Sequence, residues 1–302
     1  LAIVDDLQLS QASFAYPGYD PLWSGLSATW KAPGWHALIG PNGSGKSTLL
    51  KLMAGWMPWQ QGQLQCRESL LGLPPERRPL LLLPSLPDLL GQATLLHHLN
   101  LVEKWCGTSG KALPLLKQLK LESKAGLPAQ QLSQGQRQLA GWARALLRAP
   151  TWILADESWQ HLDGASRLLL QQVLRESGIN LLCVTHQLQA DLPLCDSLWC
   201  LRAGKLSELD LQTLWQQPKH LWLAQQLQSD WVWTGPELGC AEGHWWLPDW
   251  AWQPDSQGLE VEFIEPRGPG WLVQLGQRRL LLPLQQPCSR LGWREGSLAP
   301  LA

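Results

Sequence analysis

The nine residues Gly40-Pro41-Asn42-Gly43-Ser44-Gly45-Lys46-Ser47-Thr48 constrain this chain more than any other stretch. Gly40, Gly45, Lys46 and Ser47 fill the pattern G-x-x-x-x-G-K-[ST], a loop whose backbone N–H groups converge on phosphate oxygens. Gly43 and Gly45 let the backbone bend and approach an anion with no Cβ in the way. The apolar run Trp35-His36-Ala37-Leu38-Ile39 reads as the strand that enters the loop. Ser47 to Met53 has helical spacing of apolar residues and stops at Gly55. A helix in that place offers its positive N-terminal end to the same anion. Lys46 then neutralises phosphate charge, and the Ser47 hydroxyl is placed to bind Mg²⁺.

A second apolar run, Trp152-Ile153-Leu154-Ala155, ends in Asp156-Glu157. Two carboxylates at a strand end suit metal-assisted phosphoryl chemistry: Asp156 holds Mg²⁺ through a water, and Glu157 polarises the attacking water as general base. Ser133 lies upstream in Leu132-Ser133-Gln134-Gly135-Gln136, and His186 ends the apolar run Leu181 to Thr185. Taken singly, each has a plain alternative. Tyr16 could be an ordinary half-buried ring, His186 a satisfied structural histidine, and Ser133 no more than a helix N-cap. Their joint order and spacing favour one functional set.

In that order the motifs resemble those of the ATP-binding cassette (ABC) transporter ATPases. Leu132 to Gln136 is similar to the family's LSGGQ signature, with Gln134 in place of its first Gly, and Arg137 to Leu146 looks like the helix that follows. Tyr16 is similar to the aromatic that stacks on adenine, Asp163 to the end of the D-loop, and His186 to the switch histidine that contacts the γ-phosphate. The resemblance runs over about residues 1–210. It implies an α/β P-loop fold: an ABC core with a β subdomain near the start and a helical subdomain at about 92–149. It assigns ATP to Tyr16 and to Gly40 through Thr48, and Mg²⁺ to Ser47 and Asp156. Hydrolysis falls to Glu157 and His186. Ser133, Gln134, Gly135 and Gln136 meet the ATP of a second cassette subunit, so that two subunits sandwich two nucleotides. Transmembrane permease subunits, and a solute-binding protein beyond them, are the further partners implied, with the ATPase at the inner face of the membrane.

The chain departs from the pattern at two places. The family's Pro-Gln appears as Pro84-Ser85, and Ser85 is too short to reach the metal directly. Ser158 stands where a Pro normally follows the catalytic Glu, with Trp159 and Gln160 behind it. Trp159 either packs on a partner subunit or is buried locally. These departures keep a second reading open, a slow or non-hydrolysing ATP-dependent switch, beside that of the importer motor.

Composition narrows the classes. The net charge is −1 and no Lys/Arg block stands out, so no nucleic-acid partner is expected. No run approaches the ~18 apolar residues that span a bilayer. Asp5 and Asp6 are unlike a secretory signal, and a chain opening on Leu1 is expected to lack its initiating residue. Seven scattered Cys show no zinc spacing and read as reduced thiols. The 20 Trp against two Phe and two Tyr read as a preference for Trp as the core aromatic.

After about Asp210 the pattern changes. Residues 211–230 read as two short linker helices split by Pro218. Residues 231–302 read as short strands, at Trp231 to Trp233, Glu260 to Ile264, Trp271 to Leu275 and Arg279 to Leu282, with a turn at Pro266 to Gly270. This tail is similar to the small TOBE-type β-barrel domain of importer ATPases.

Overall fold

The computed structural model describes residues 5–186 and 194–210, and beyond them the strand backbones between 232 and 301. The chain divides into two compact units, Leu1–Leu209 and Asp210–Ala302.

The first unit is built on two sheets. β1 (Leu7–Ala15), β2 (Pro21–Trp30), β4 (Gln61–Cys66) and β5 (Glu68–Ser69) form an antiparallel sheet in the order β2-β1-β4-β5. Its strands alternate buried and exposed residues, as strands with one wet face must. The second sheet has the order β10-β9-β3-β8-β7-β6. It contains β3 (Trp35–Ile39), β6 (Leu80–Leu83), β7 (Trp152–Asp156), β8 (Asn180–Val184), β9 (Ser197–Arg202) and β10 (Lys205–Leu209). Five neighbours run parallel, and β10 closes the edge antiparallel. Both faces of a parallel sheet are covered, so β3 and β8 are buried at every position.

Helix α1 (Lys46–Ala54) follows β3 and ends where Gly55 turns left-handed. Arg78, itself buried, donates Nη1 to the carbonyls of Leu52 and Met53, groups that helix termination leaves unpaired. One core joins α1 to both sheets through Leu7, Trp30, Leu38, Leu49, Met53 and Trp152. Tryptophan is the main large aromatic here, with Trp23, Trp30, Trp35, Trp142, Trp152, Trp159 and Trp199 all buried.

Between β6 and β7 lie α2 (Leu95–Cys106), α3 (Ala112–Gln118) and α4 (Gln134–Arg148). The spacing of Leu95, Leu96, Leu99 and Val102 suggests an apolar stripe, but the buried positions of α2 are Leu95, His98, Leu99 and Glu103. Glu103 tolerates burial because its carboxylate accepts the N–H groups of Lys111 and Ala112 at the start of α3. Helix α5 (Gly164–Ser177) returns the chain from β7 to β8. Among the described residues no helix is long and apolar enough to cross a membrane.

In the second unit the described strands form three small antiparallel sheets. They are β11 (Val232–Thr234) with β12 (His244–Trp246) and β18 (Ala299–Leu301); β13 (Trp252–Glu260) with β17 (Arg290–Trp293); and β14 (Phe263–Arg267), β15 (Gly270–Leu275) and β16 (Arg278–Leu282). The strand expected at Glu260 to Ile264 instead straddles the end of β13 and the start of β14. Pro266 and Arg267 belong to β14 rather than to a turn. Pro266 pairs with Trp271 next to the hairpin end, on a strand that has one neighbour in its sheet, where a missing N–H is tolerated. The expected linker helices at 211–230 lie outside the described residues.

Candidate functional site

The phosphate-type loop connects β3 to α1, as the apolar run before it and the helical spacing after it require. Its glycines carry the conformations a side chain resists: φ is +80° at Gly43 and +95° at Gly45. The space at Gly45 is closed as well. A Cβ built there would stand 2.1 Å from Cζ3 of Trp23. Lys46 folds over the loop, donating Nζ to the carbonyls of Gly40 at 2.8 Å and Pro41 at 3.1 Å. Burial lowers the Lys46 pKa, while Glu157 and Asp156 pull it back up. An anion in the loop therefore meets a buried ammonium whose hydrogen bonds go to neutral carbonyls. The buried Ser44 hydroxyl has no partner of its own, a polar group whose burial is unfavourable until something binds it. Pro41 and Asn42 complete the turn, and Ser44 N–H closes it on the Pro41 carbonyl.

Three elements converge on this loop. From α1, Ser47 Oγ donates to Asp156 Oδ1 of β7 at 3.0 Å. Burial raises the Asp156 pKa, and the Ser47 hydrogen bond offsets part of that rise. A half-buried carboxylate beside a hydroxyl, with no salt-bridge partner among the described residues, is a donor set that favours a hard divalent cation. Ser47 and Asp156 thus fit Mg²⁺ chemically. Glu157 begins the next segment with φ +54° and donates its N–H to Val184 of β8 at 3.1 Å. That turn brings its Oε1 to 2.9 Å from His186 Nε2, both side chains 30% exposed. Gln160 donates its amide to the other oxygen, Glu157 Oε2. Tyr16, 40% exposed, shares a 2.9 Å hydrogen bond with Thr48 Oγ1 of α1 and stands edge-on to Phe14. The ring thus lies beside the loop, with one side still open to stack on a flat ligand.

A second group forms around the start of α4. Ser133 is its N-cap: Oγ accepts the Gln136 N–H, and the Gln136 side chain accepts the Ser133 N–H, a reciprocal capping box. Gln134 and Gly135 fill the first turn. A Cβ at Gly135 would lie 2.8 Å from the His161 carbonyl, so glycine permits the segment before α5 to pass there. Asp163 caps α5 in turn, accepting the Ser166 N–H at 2.7 Å. Ser133, Gly135, Gln136, His161 and Asp163 share a cleft of about 320 Å³. The loop residues, Asp156, Glu157 and His186 come together in one place, while Ser133, Gly135 and Gln136 line this other cleft and Gln134 does not.

Trp159 is buried within its own chain, with its ring 4.8 Å from that of Trp142. Ser85 sits after β6, and its carbonyl accepts Nε2 of Gln138 at 2.9 Å. Gln138 also accepts the His161 N–H at 3.0 Å and is 1% exposed. One buried amide therefore clamps the loop after β6 to the segment that leads from β7 to α5. Its sequence signal is a glutamine on a stripe whose later members, Trp142 and Ala145, are buried. The variant Gln138→Ala removes both bonds at once, and urea denaturation is expected to show a loss of about 1–3 kcal/mol.

A strand–glycine loop–helix with convergent acidic residues defines the class: a P-loop nucleotide-binding protein. The family profile described as "ABC transporter" matches residues 23–160. The chain is 34% identical over 195 residues to the aliphatic sulfonates import ATP-binding protein SsuB of Granulibacter bethesdensis, covering 63% of this chain and 77% of that one. It is 29% identical over 220 residues to the spermidine/putrescine import ATP-binding protein PotA of Pseudomonas fluorescens, covering 69% of this chain and 61% of the relative. The first of these polyamine relatives are thus matched over less than two thirds of their own length. A solved structure titled as the ATP-binding subunit of an ABC transporter superposes with a TM-score of 0.63 at 27% identity, over 69% of this chain and 91% of that one. The chain belongs to the ATP-binding subunits of the ABC transporter family.

Proposed function

We propose that this chain is the ATP-hydrolysing subunit of an ABC importer, working with a separate membrane permease and a second cassette subunit. The observation that carries this reading is the meeting of the loop, the Ser47–Asp156 pair and the Glu157–His186 pair at one site. The names of the import relatives support the direction of transport. In this reading Tyr16 stacks on adenine, and Gly40 through Thr48 wrap the phosphates. Ser47 and Asp156 would hold Mg²⁺, which would supply neutralisation of phosphate charge. Lys46 exchanges its two carbonyl partners for phosphate oxygens. Glu157 accepts a proton from water as the water oxygen bonds to the γ-phosphorus and the bond to ADP breaks; His186 holds the γ-phosphate. Ser133 and the N–H groups of the first turn of α4 meet the ATP of the other subunit, and Gln134 and Gln136 border it. ATP is then part of the interface, so binding closes the pair and hydrolysis reopens it. The second unit is assigned as a TOBE-like accessory domain at 231–302, joined through 211–230, and the whole sits at the inner membrane face.

The test is Mg²⁺-dependent ATP hydrolysis by the purified chain, with size-exclusion chromatography with and without ATP. Turnover together with ATP-dependent dimers supports the motor. Binding without turnover or dimers supports the switch instead.

A further inference from the structure

We propose that Gln160 is a positioning residue for Glu157, a deepening that rests on the hydrolytic reading above. Glu157 is held from both sides. His186 Nε2 stands 2.9 Å from Oε1, and the Gln160 amide donates to Oε2. Two partners on different oxygens fix the plane of a carboxylate, and when His186 turns to phosphate the Gln160 amide still holds Oε2. The backbone prepares this: Glu157 is left-handed, and the Gln160 N–H turns back on the Glu157 carbonyl at 3.4 Å. The two side chains therefore leave one turn together.

Gln160 itself sits in a rigid frame. Trp142 Nε1 donates to the Ser158 carbonyl at 3.1 Å, Arg167 Nη2 to the Trp159 carbonyl at 3.2 Å, and Gln138 accepts the His161 N–H. The residues before and after Gln160 are thus pinned by buried side chains of α4 and α5. An amide donor held this firmly presents one face of Glu157 to water and keeps Oε2 occupied. Oε1 then takes the proton, with His186 moving to phosphate. A misplacement of about 1 Å in such a group costs up to about a hundredfold in rate.

The test uses the full purified chain with Mg²⁺ and ATP. Gln160→Met keeps the length and removes the donor. Gln160→Glu keeps the shape and sets carboxylate against carboxylate. Gln160→Asn keeps the amide one methylene short. Expected are a fall in kcat of about tenfold or more for Gln160→Met, a larger fall for Gln160→Glu, an intermediate one for Gln160→Asn, and a KM for ATP near wild type in all three. In the Glu157→Gln background, adding Gln160→Met should lower the residual rate no further. A wild-type kcat in Gln160→Met beside an inactive Glu157→Gln overturns the proposal and leaves the hydrolytic reading intact. An equal loss in both backgrounds also overturns it, since Gln160 then acts on something other than Glu157. Wild-type turnover by Glu157→Gln, or no turnover by wild type, removes the hydrolytic reading and this proposal with it. If Gln160→Met fails to fold, the ranking of Gln160→Asn above Gln160→Glu decides.

Discussion

Glu157→Gln is expected to lower kcat for ATP about 10²–10⁴-fold while leaving ATP binding in place. The amide is isosteric with the carboxylate, so the bonds to His186 and Gln160 can each be remade by a ring tautomer or an amide flip. What it cannot do is take a proton from water. Stability should change by less than about 0.5 kcal/mol, because the side chain is partly exposed and its shape is kept. With hydrolysis blocked and Lys46 still able to clamp phosphate, the ATP-bound pair of subunits should accumulate. Steady-state kinetics beside size-exclusion chromatography in ATP checks all of this. A variant that turns over normally would show that another group accepts the proton.

Much of this site is legible in the residues because its parts are local. A loop between a strand and a helix is specified by its own glycines and by the periodicity on either side, and β3, α1 and β7 stand where those patterns place them. Spacing also orders Asp156, Glu157 and His186 along the chain. What no pattern shows is which of two environments a bulky residue finds. Trp159 suits a partner surface or a core equally well, and its burial depends on Trp142 standing opposite on α4, well back in the chain. The same holds for Gln138, whose partners Ser85 and His161 lie far from it in sequence on opposite sides. The buried face of α2 differs from the simple apolar stripe for a related reason. Glu103 is buried because α3 begins above it, a tertiary fact that hydrophobic periodicity does not carry.

Gly45→Ala is expected to cost the fold and the nucleotide together. Gly45 is the last residue of the loop and the N-cap of α1, at φ +95°. An alanine there is strained by about 1–3 kcal/mol before any contact is counted. Contact adds more, because the new Cβ would lie 2.1 Å from Trp23 Cζ3 and 2.7 Å from Leu22 Cδ2. Trp23 is buried at 2% exposure and belongs to the main core, so it cannot swing into solvent. Overpacking of this kind adds about 1–3 kcal/mol. A loop that relaxes to escape both penalties turns its N–H groups away from the anion, so ATP affinity should fall with stability. The two contributions can be separated. Trp23→Leu in the same chain opens the space at Gly45 but leaves the backbone angle unchanged. Combined with Gly45→Ala, it should recover the part of the overpacking cost that Trp23 imposes and none of the strain, and ATP binding should stay weak. Thermal melts and nucleotide titration of the single and double variants check this. Full recovery of binding in the double variant would mean that crowding against Trp23, and not the left-handed backbone, is what the glycine relieves.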